Sequence, residues 1–310
     1  MVWILFVSMI IVFIAIDLGV FNRNAHVISV REASIWTSIW VSFALAFSGV
    51  VYYVYSNGYI DNPTGLTSSD AVLKYITGYL IELSLSVDNI FVIAVIFGSF
   101  NIPRKFQHRV LFWGILGAIV FRALMILFGV TLVNQFSWMI YIFGLFLLYT
   151  AYKMYTSPQF EFNPQESLIF KGIRKYLPIT KVVESEAFFV KVKHVRAATP
   201  LFVALLVIEV SDIVFAIDSI PAVLAITSDP FLVFSSNILA ILGLRSMYFF
   251  LANMLAKFIY LEYSLIFILS FVGVKMLLID VIHLPEWFSL GAIAIALFSG
   301  IIYSVYQDNE

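Results

Sequence analysis

The sequence predicts an all-α polytopic membrane protein of about nine transmembrane helices. Three observations carry this: 62% of the 310 residues are hydrophobic and only 12% charged, the mean hydropathy is +1.00, and apolar runs of spanning length recur along the whole chain. No soluble globule can build a polar skin from that composition.

Crossing the hydrocarbon takes about 20 apolar residues. Such runs cover residues 2–20, 33–55, 70–98, 108–130, 133–153, 199–227, 231–254, 258–281 and 286–306. The first opens Met1-Val2-Trp3 without a basic segment and carries Asp17 without a small-residue cleavage site, so it reads as a retained helix rather than a signal peptide. Orientation follows from the basic residues. With the N-terminus outside and the C-terminus inside, the inner loops collect 14 of the 18 Lys and Arg, among them Arg31, Arg104, Lys105, Arg109, Lys171 and Lys257. The expected outer loops, around Tyr55 to Ser69, Thr131 to Asn134, Ser228 to Pro230 and His283 to Glu286, hold none.

Residues 1–310 read as one transmembrane domain in which 154–198 is a basic cytoplasmic loop between the fifth and sixth helices. Pro158, Pro164 and Pro178 interrupt that loop, and Lys171-Gly-Ile-Arg174-Lys175-Tyr176 suits either the inner leaflet surface or a docked partner protein. Phe188 to Val195 alternates apolar with basic residues and suggests a short hairpin.

Within the predicted helices stand six acids, Asp17, Glu82, Asp88, Glu209, Asp212 and Asp218, and three bases, Arg122, Arg245 and Lys275. A charge at mid-membrane costs roughly 3 kcal/mol even on the lenient insertion scale, so such residues face the bundle interior and pair. Two stretches look like copies. Glu82 and Asp88 stand six apart with Asn89 following, and Asp212 and Asp218 stand six apart with Ser219 following; each such helix precedes one that carries an arginine. The charge-derived topology gives the two helices opposite directions, so helices 3 to 5 and 6 to 8 read as inverted three-helix repeats, an arrangement suited to alternating access around a midplane ion site.

A spacing of six turns a continuous helix through 600°, which leaves two acids about 120° apart and unable to share an ion without a break. Pro221 offers one in the second copy, because it lacks the N–H that would bond the carbonyl of Ile217; alternatively it is only a kink. Carboxylates, the Asn89 amide, the Ser219 hydroxyl and a freed Ile217 carbonyl form a hard-oxygen set suited to manganese(II), magnesium or calcium. All four histidines, His26, His108, His194 and His283, fall in loops or at helix ends, which argues against a histidine metal site in the membrane. Cysteine is absent, and with it disulfides, thiolate sites and thiol redox chemistry. No Ser-His pair or His-Glu-x-x-His helix suggests an intramembrane enzyme.

Asp17-Leu-Gly-Val-Phe21, Arg31-Glu-Ala33, Glu82 to Asn89, Ala198-Thr-Pro-Leu201, the long block Glu209 to Ala222, and Gly243-Leu-Arg245 together resemble the TerC/Alx family of bacterial membrane proteins, within the lysine-exporter-like transporter superfamily. The resemblance implies a nine-helix inner-membrane protein of metal homeostasis, usually manganese export, with a historical link to tellurite resistance. Carried over by position, it implies an ion pathway of Glu82, Asp88, Asn89, Glu209, Asp212, Asp218 and Ser219, with Asp17 either a further element or an interfacial acid. Arg122 and Arg245 are expected as charge partners of the acids. Lys275 is expected to snorkel, to pair, or to stand in for the ion. The expected function is thus a secondary transporter exporting a divalent cation, manganese(II) foremost, with proton exchange as one form of coupling, with the lipid bilayer and the metal ion as partners, no nucleic acid and no resident cofactor. The competing expectation is a non-transporting scaffold that docks partners through residues 154–198.

Overall fold

A computed structural model describes residues 1–16, 28–62, 65–136, 138–156, 172, 178–180, 186–192, 195–252, 261–281 and 284–307, without the side chains of Asp88, Val192, Val195, Leu261 and residues 305–307. Asp17 and most of the 154–198 loop lie outside the described residues, as do His26, His194 and His283. Nine helices are present among the described residues. They are α1 (Val2–Ile16), α2 (Val30–Ser56), α3 (Ser68–Ser99), α4 (Arg104–Gln135), α5 (Met139–Thr156), α6 (Pro200–Leu224), α7 (Pro230–Leu251), α8 (Leu261–Leu277) and α9 (Glu286–Gln307). Six of them, α2, α3, α4, α6, α7 and α9, are long and apolar enough to cross a membrane.

Helix starts follow local chemistry. The Ser29 hydroxyl accepts from the Glu32 N–H, the Thr67 hydroxyl from the Asp70 N–H, and the Asp229 carboxylate from both Phe231 and Leu232 N–H groups, each occupying amides that a first turn leaves orphaned. Pro200 and Pro230 stand in the first turns of α6 and α7, where a missing N–H costs nothing. One expected loop is absent: Thr131 to Asn134 continue α4, because the apolar run passes through them and the Thr131 hydroxyl bonds back to the Leu127 carbonyl at 2.6 Å. The turn into α5 is correspondingly short.

Polarity runs inside out. Leu127, Phe128, Ile295 and Ile302 are each at least 63% exposed, whereas Glu82, Arg122, Ser219, Ser236 and Asn237 are buried. That pattern suits a hydrocarbon solvent, in which every inward polar group must find its partner within the protein. In the bundle, α3 packs on α2, α6 and α7, α4 packs on α6 and α7, and α5 packs on α8. Three apolar clusters fill it: one around α5, α8 and the end of α6; one where the end of α3 meets the starts of α4 and α6; and one joining α1, α2 and the start of α7.

The expected hairpin is present as β1 (Phe189–Val192) and β2 (Val195–Ala198), antiparallel, with Lys191 opposite Arg196. Only Thr199 separates it from α6. That threonine donates its hydroxyl to the Ala187 carbonyl at 2.8 Å and its N–H to Phe188 at 2.9 Å, while Arg109 of α4 holds Glu186 at 3.1 Å.

Helices α5 and α8 cross backbone to backbone. A Cβ on Gly144 would lie 3.1 Å from the Gly273 carbonyl, and one on Gly273 would lie 3.0 Å from the Gly144 carbonyl. We therefore expect Gly273→Val to lower the thermal stability of the detergent-solubilised protein by about 1–3 kcal/mol. Gly98→Ala, where a Cβ meets nothing within 4 Å, is the control and should leave the melting temperature unchanged.

Candidate intramembrane charge site

Arg122 lies near the middle of α4 and is 1% exposed, so nothing but protein can satisfy its guanidinium. Its Nη1 donates to Glu82 Oε1 of α3 at 2.5 Å, to Ser219 Oγ of α6 at 2.9 Å and to Asn237 Oδ1 of α7 at 3.0 Å. Its Nη2 donates to Asp212 Oδ1 of α6 at a longer 3.4 Å. Four helices thus meet at one side chain.

Helical periodicity explains which residues converge. Asp212 and Ser219 stand seven apart, two full turns, and so point to the same side of α6; Glu209, one turn before Asp212, shares it. The Glu209 carboxylate lies against Gly117 of α4, where a Cβ would overlap it. Asp218 is rotated away and accepts instead from the Thr150 hydroxyl of α5 at 3.1 Å. The expected break at Pro221 is not formed, since α6 is continuous to Leu224 and carries the proline as an interior residue. Asp212 and Asp218 accordingly stay on different faces, and the Ile217 side chain, 44% exposed, points outward.

On α3 the same spacing of seven links Glu82 to Asn89. Asn89 lines a cavity of about 30 Å³ with Ser211, Asp212, Gly114 and Leu244, enough for ordered water, directly beside the Asp212 end of the arginine cluster. Of Asp88 only the helical backbone is described. On the other side of Arg122 the packing tightens: a Cβ on Gly78 would lie 3.1 Å from Ser236 Oγ, and one on Gly129 3.1 Å from both Ile220 and Leu224.

The remaining bases stand apart from this cluster. Arg245 borders a separate pocket between α2, α4 and α7, together with Glu32, Trp36 and Trp40. Lys275 pairs with Glu286 at 3.5 Å and Ser289 at 3.0 Å, and Lys74 holds the same Glu286 at 3.0 Å and the Ile226 carbonyl at 2.8 Å. Lys275 therefore pairs, but at the start of α9 rather than with the mid-helix acids.

Asn237, fully buried, escaped the sequence reading because it carries no charge, although an amide within the apolar run 231–254 was itself a signal. Gly117, whose lack of a side chain makes room for Glu209, carried none. Three carboxylate oxygens at this level, Glu82 Oε2, Asp212 Oδ2 and Glu209 Oε2, are buried and accept no hydrogen bond. Among the described residues no three His, Asp or Glu side chains are gathered as a ready metal site, and the guanidinium bonds both the Glu82 and the Asp212 carboxylates.

Fold and site define a multi-pass integral membrane protein organised around a buried intramembrane charge cluster. The chain belongs to the TerC family: the family's model, described as integral membrane protein TerC family, matches residues 67–310. An uncharacterized membrane protein of Myxococcus xanthus is 46% identical over 308 residues, covering 99% of this chain and 93% of its own. Relatives named as proposed membrane-bound redox modulators, Alx, include one from Photorhabdus laumondii, 42% identical over 311 residues (100% and 96% coverage). Another, from Escherichia coli K12, is 41% identical over 295 residues (94% and 90% coverage). Neither the family's description nor these names indicate an enzyme. No solved structure matches.

Removing one member of a buried ion pair strands the other, at about 3–5 kcal/mol. Arg122→Met should therefore lower thermal stability in detergent by that amount. Asp218→Asn, which keeps an acceptor for Thr150, should cost less than about 1 kcal/mol in the same melting experiment.

Proposed function

We propose that this protein is a secondary transporter that exports a divalent, oxygen-preferring cation, manganese(II) foremost, across the bacterial cytoplasmic membrane. The observation that carries the reading is the surplus of buried acid at mid-bundle: Glu82 and Asp212 hold one arginine, Glu209 stands one helical turn before Asp212 against Gly117, and each of the three has a buried carboxylate oxygen without a donor. Carboxylates beyond those an ion pair needs are costly inside a membrane unless a cation or proton visits them. Hard oxygens select manganese(II), magnesium or calcium over softer metals. The redox-modulator name of the Alx relatives favours the redox-capable ion of these three, because a cysteine-free chain brings no thiol chemistry of its own. Protons would compete for the same oxygens, so that flux depends on pH.

Alternating access would run on two inverted units, α3 to α5 and α6 to α8. Exchanging α3 with α6, α4 with α7 and α5 with α8 maps the main helix contacts onto one another: α3 on α7 becomes α6 on α4, and α5 on α8 maps onto itself. Gly144 and Gly273 support the same symmetry, since Leu277 lies by the first and Leu148, at the corresponding place, by the second. With the N-terminus outside, the cavity beside Asp212 opens the inner half of the pathway, and the tight contacts at Gly78 and Gly129 close the outer half.

The test is flux. Proteoliposomes offered manganese, calcium, magnesium and zinc in parallel, at two lumenal pH values, should take up manganese fastest, and a pH gradient should change its rate. Glu82→Gln and Asp212→Asn should reduce that flux at least tenfold at equal protein level, whereas Asp218→Asn should retain part of it. Expression in cells lacking manganese efflux should restore growth in excess manganese. Unchanged cellular manganese on expression, with no flux in vesicles, would reject transport in favour of a scaffold acting through residues 154–198.

A further inference from the structure

We infer that Arg122 is a tethered substitute for the transported cation, occupying its cage in the empty protein and yielding it when the ion arrives. The inference rests on the transport reading above and adds a device to it. Every group around the guanidinium is an oxygen acceptor: Glu82 Oε1 at 2.5 Å, Ser219 Oγ at 2.9 Å, Asn237 Oδ1 at 3.0 Å and Asp212 Oδ1 at 3.4 Å. Because a guanidinium only donates, the lone pairs of three acceptors converge on Nη1 and the fourth, from Asp212, meets the adjacent Nη2. Two carboxylates, a hydroxyl and an amide oxygen make the donor set that a hard divalent cation takes. The arrangement is a cation site built from three helices and filled from a fourth.

Two further observations say how the exchange would proceed. Glu82 Oε2 and Asp212 Oδ2 are buried without a donor, so each carboxylate holds one oxygen to the arginine and one in reserve. The hold is uneven, firm at Glu82 and long at Asp212, and the small cavity lined by Asn89 and Ser211 reaches Asp212 at that weaker end. An incoming cation meets the spare Asp212 oxygen first and displaces Nη2 before Nη1. Cation and guanidinium repel at such distances, so the cage holds one or the other.

The consequence concerns the empty carrier. With Arg122 in the cage, the acids are compensated and the two three-helix units, α3–α4 on one side and α6–α7 on the other, are bridged without cargo. The protein can therefore reset while empty. Without the arginine, uncompensated carboxylates would hold the empty protein in one state, and only the loaded form would reorient.

The experiment compares two fluxes of manganese(II) in proteoliposomes: net movement into manganese-free lumen, and one-for-one exchange of labelled against unlabelled ion. Wild type should perform both. Arg122→Gln should lose net flux at least tenfold while exchange stays within about threefold. Arg122→Lys keeps the charge but cannot span Glu82 and Asp212 together; it should retain net flux and bind manganese more tightly, since its grip on the cage is weaker. A purely structural arginine gives neither the split between fluxes nor tighter binding. Arg122→Gln that retains net flux, or that loses both fluxes equally while melting as a folded protein, overturns the inference. Should Arg122→Gln fail to accumulate, Arg122→Lys decides, and unchanged or weaker manganese binding there overturns it. Absence of both fluxes in wild type defeats the transport reading itself and is thereby distinguished.

Discussion

The bundle depends on the ion pair between Arg122 and Glu82, fully enclosed at the meeting point of four helices. Removing two charges from water costs several kcal/mol per ion even after relaxation, and a pair recovers this only with good geometry and further hydrogen bonds. Ser219, Asn237 and Asp212 supply those bonds, so each neighbouring helix is fixed in rotation by its duty to the arginine. The apolar clusters then pack around a centre whose register is already set: Ile81 and Leu85, either side of Glu82 on α3, share one cluster with Ile126 of α4, and Ala118, one turn before Arg122, belongs to another. Dispersion among apolar side chains offers no comparable selectivity, since lipid tails are as good a neighbour as leucine.

Much of this architecture was legible in the chain. Apolar runs gave the helices because length and hydropathy are one-dimensional properties, and the hairpin before α6 was visible in the alternation from Phe188. That Arg122 pairs with buried acids followed from the cost of intramembrane charge, whereas the choice of Glu82 and Asp212 came only with the structure. What the chain concealed was direction around each helix. A motif written as acids six apart draws the eye to Asp218, yet a helix returns to the same face after seven residues, so Ser219 joins Asp212 and Asp218 turns to Thr150. The proline near this point suggested a break, but α6 carries it without one. Asn237 and Gly117 carry no formal charge to mark them, and their roles appear only when α7 and α6 close on α4.

Helix contacts in this protein use glycine both where charge must be accommodated and where apolar faces come close. Gly114 and Gly117 bring α4 close to α6 beside Ile208 and Glu209, while Gly129 receives Ile220 and Leu224 one cluster further along. The glycine at 117 thus permits a carboxylate to be stored against a helix wall without solvent. Membership of the TerC family over residues 67–310 includes all of these positions.

The hairpin β1–β2 and α6 are joined through the single residue Thr199, which is itself tied to Ala187 and Phe188. A continuous helix is stiff along its axis, and the thirteen residues from Pro200 to Asp212 amount to a rod of about 20 Å. There is little slack in that linkage. A push on the hairpin along this axis is therefore delivered to the carboxylate at its far end almost undiminished, which makes the membrane surface and the protein's centre mechanically one part.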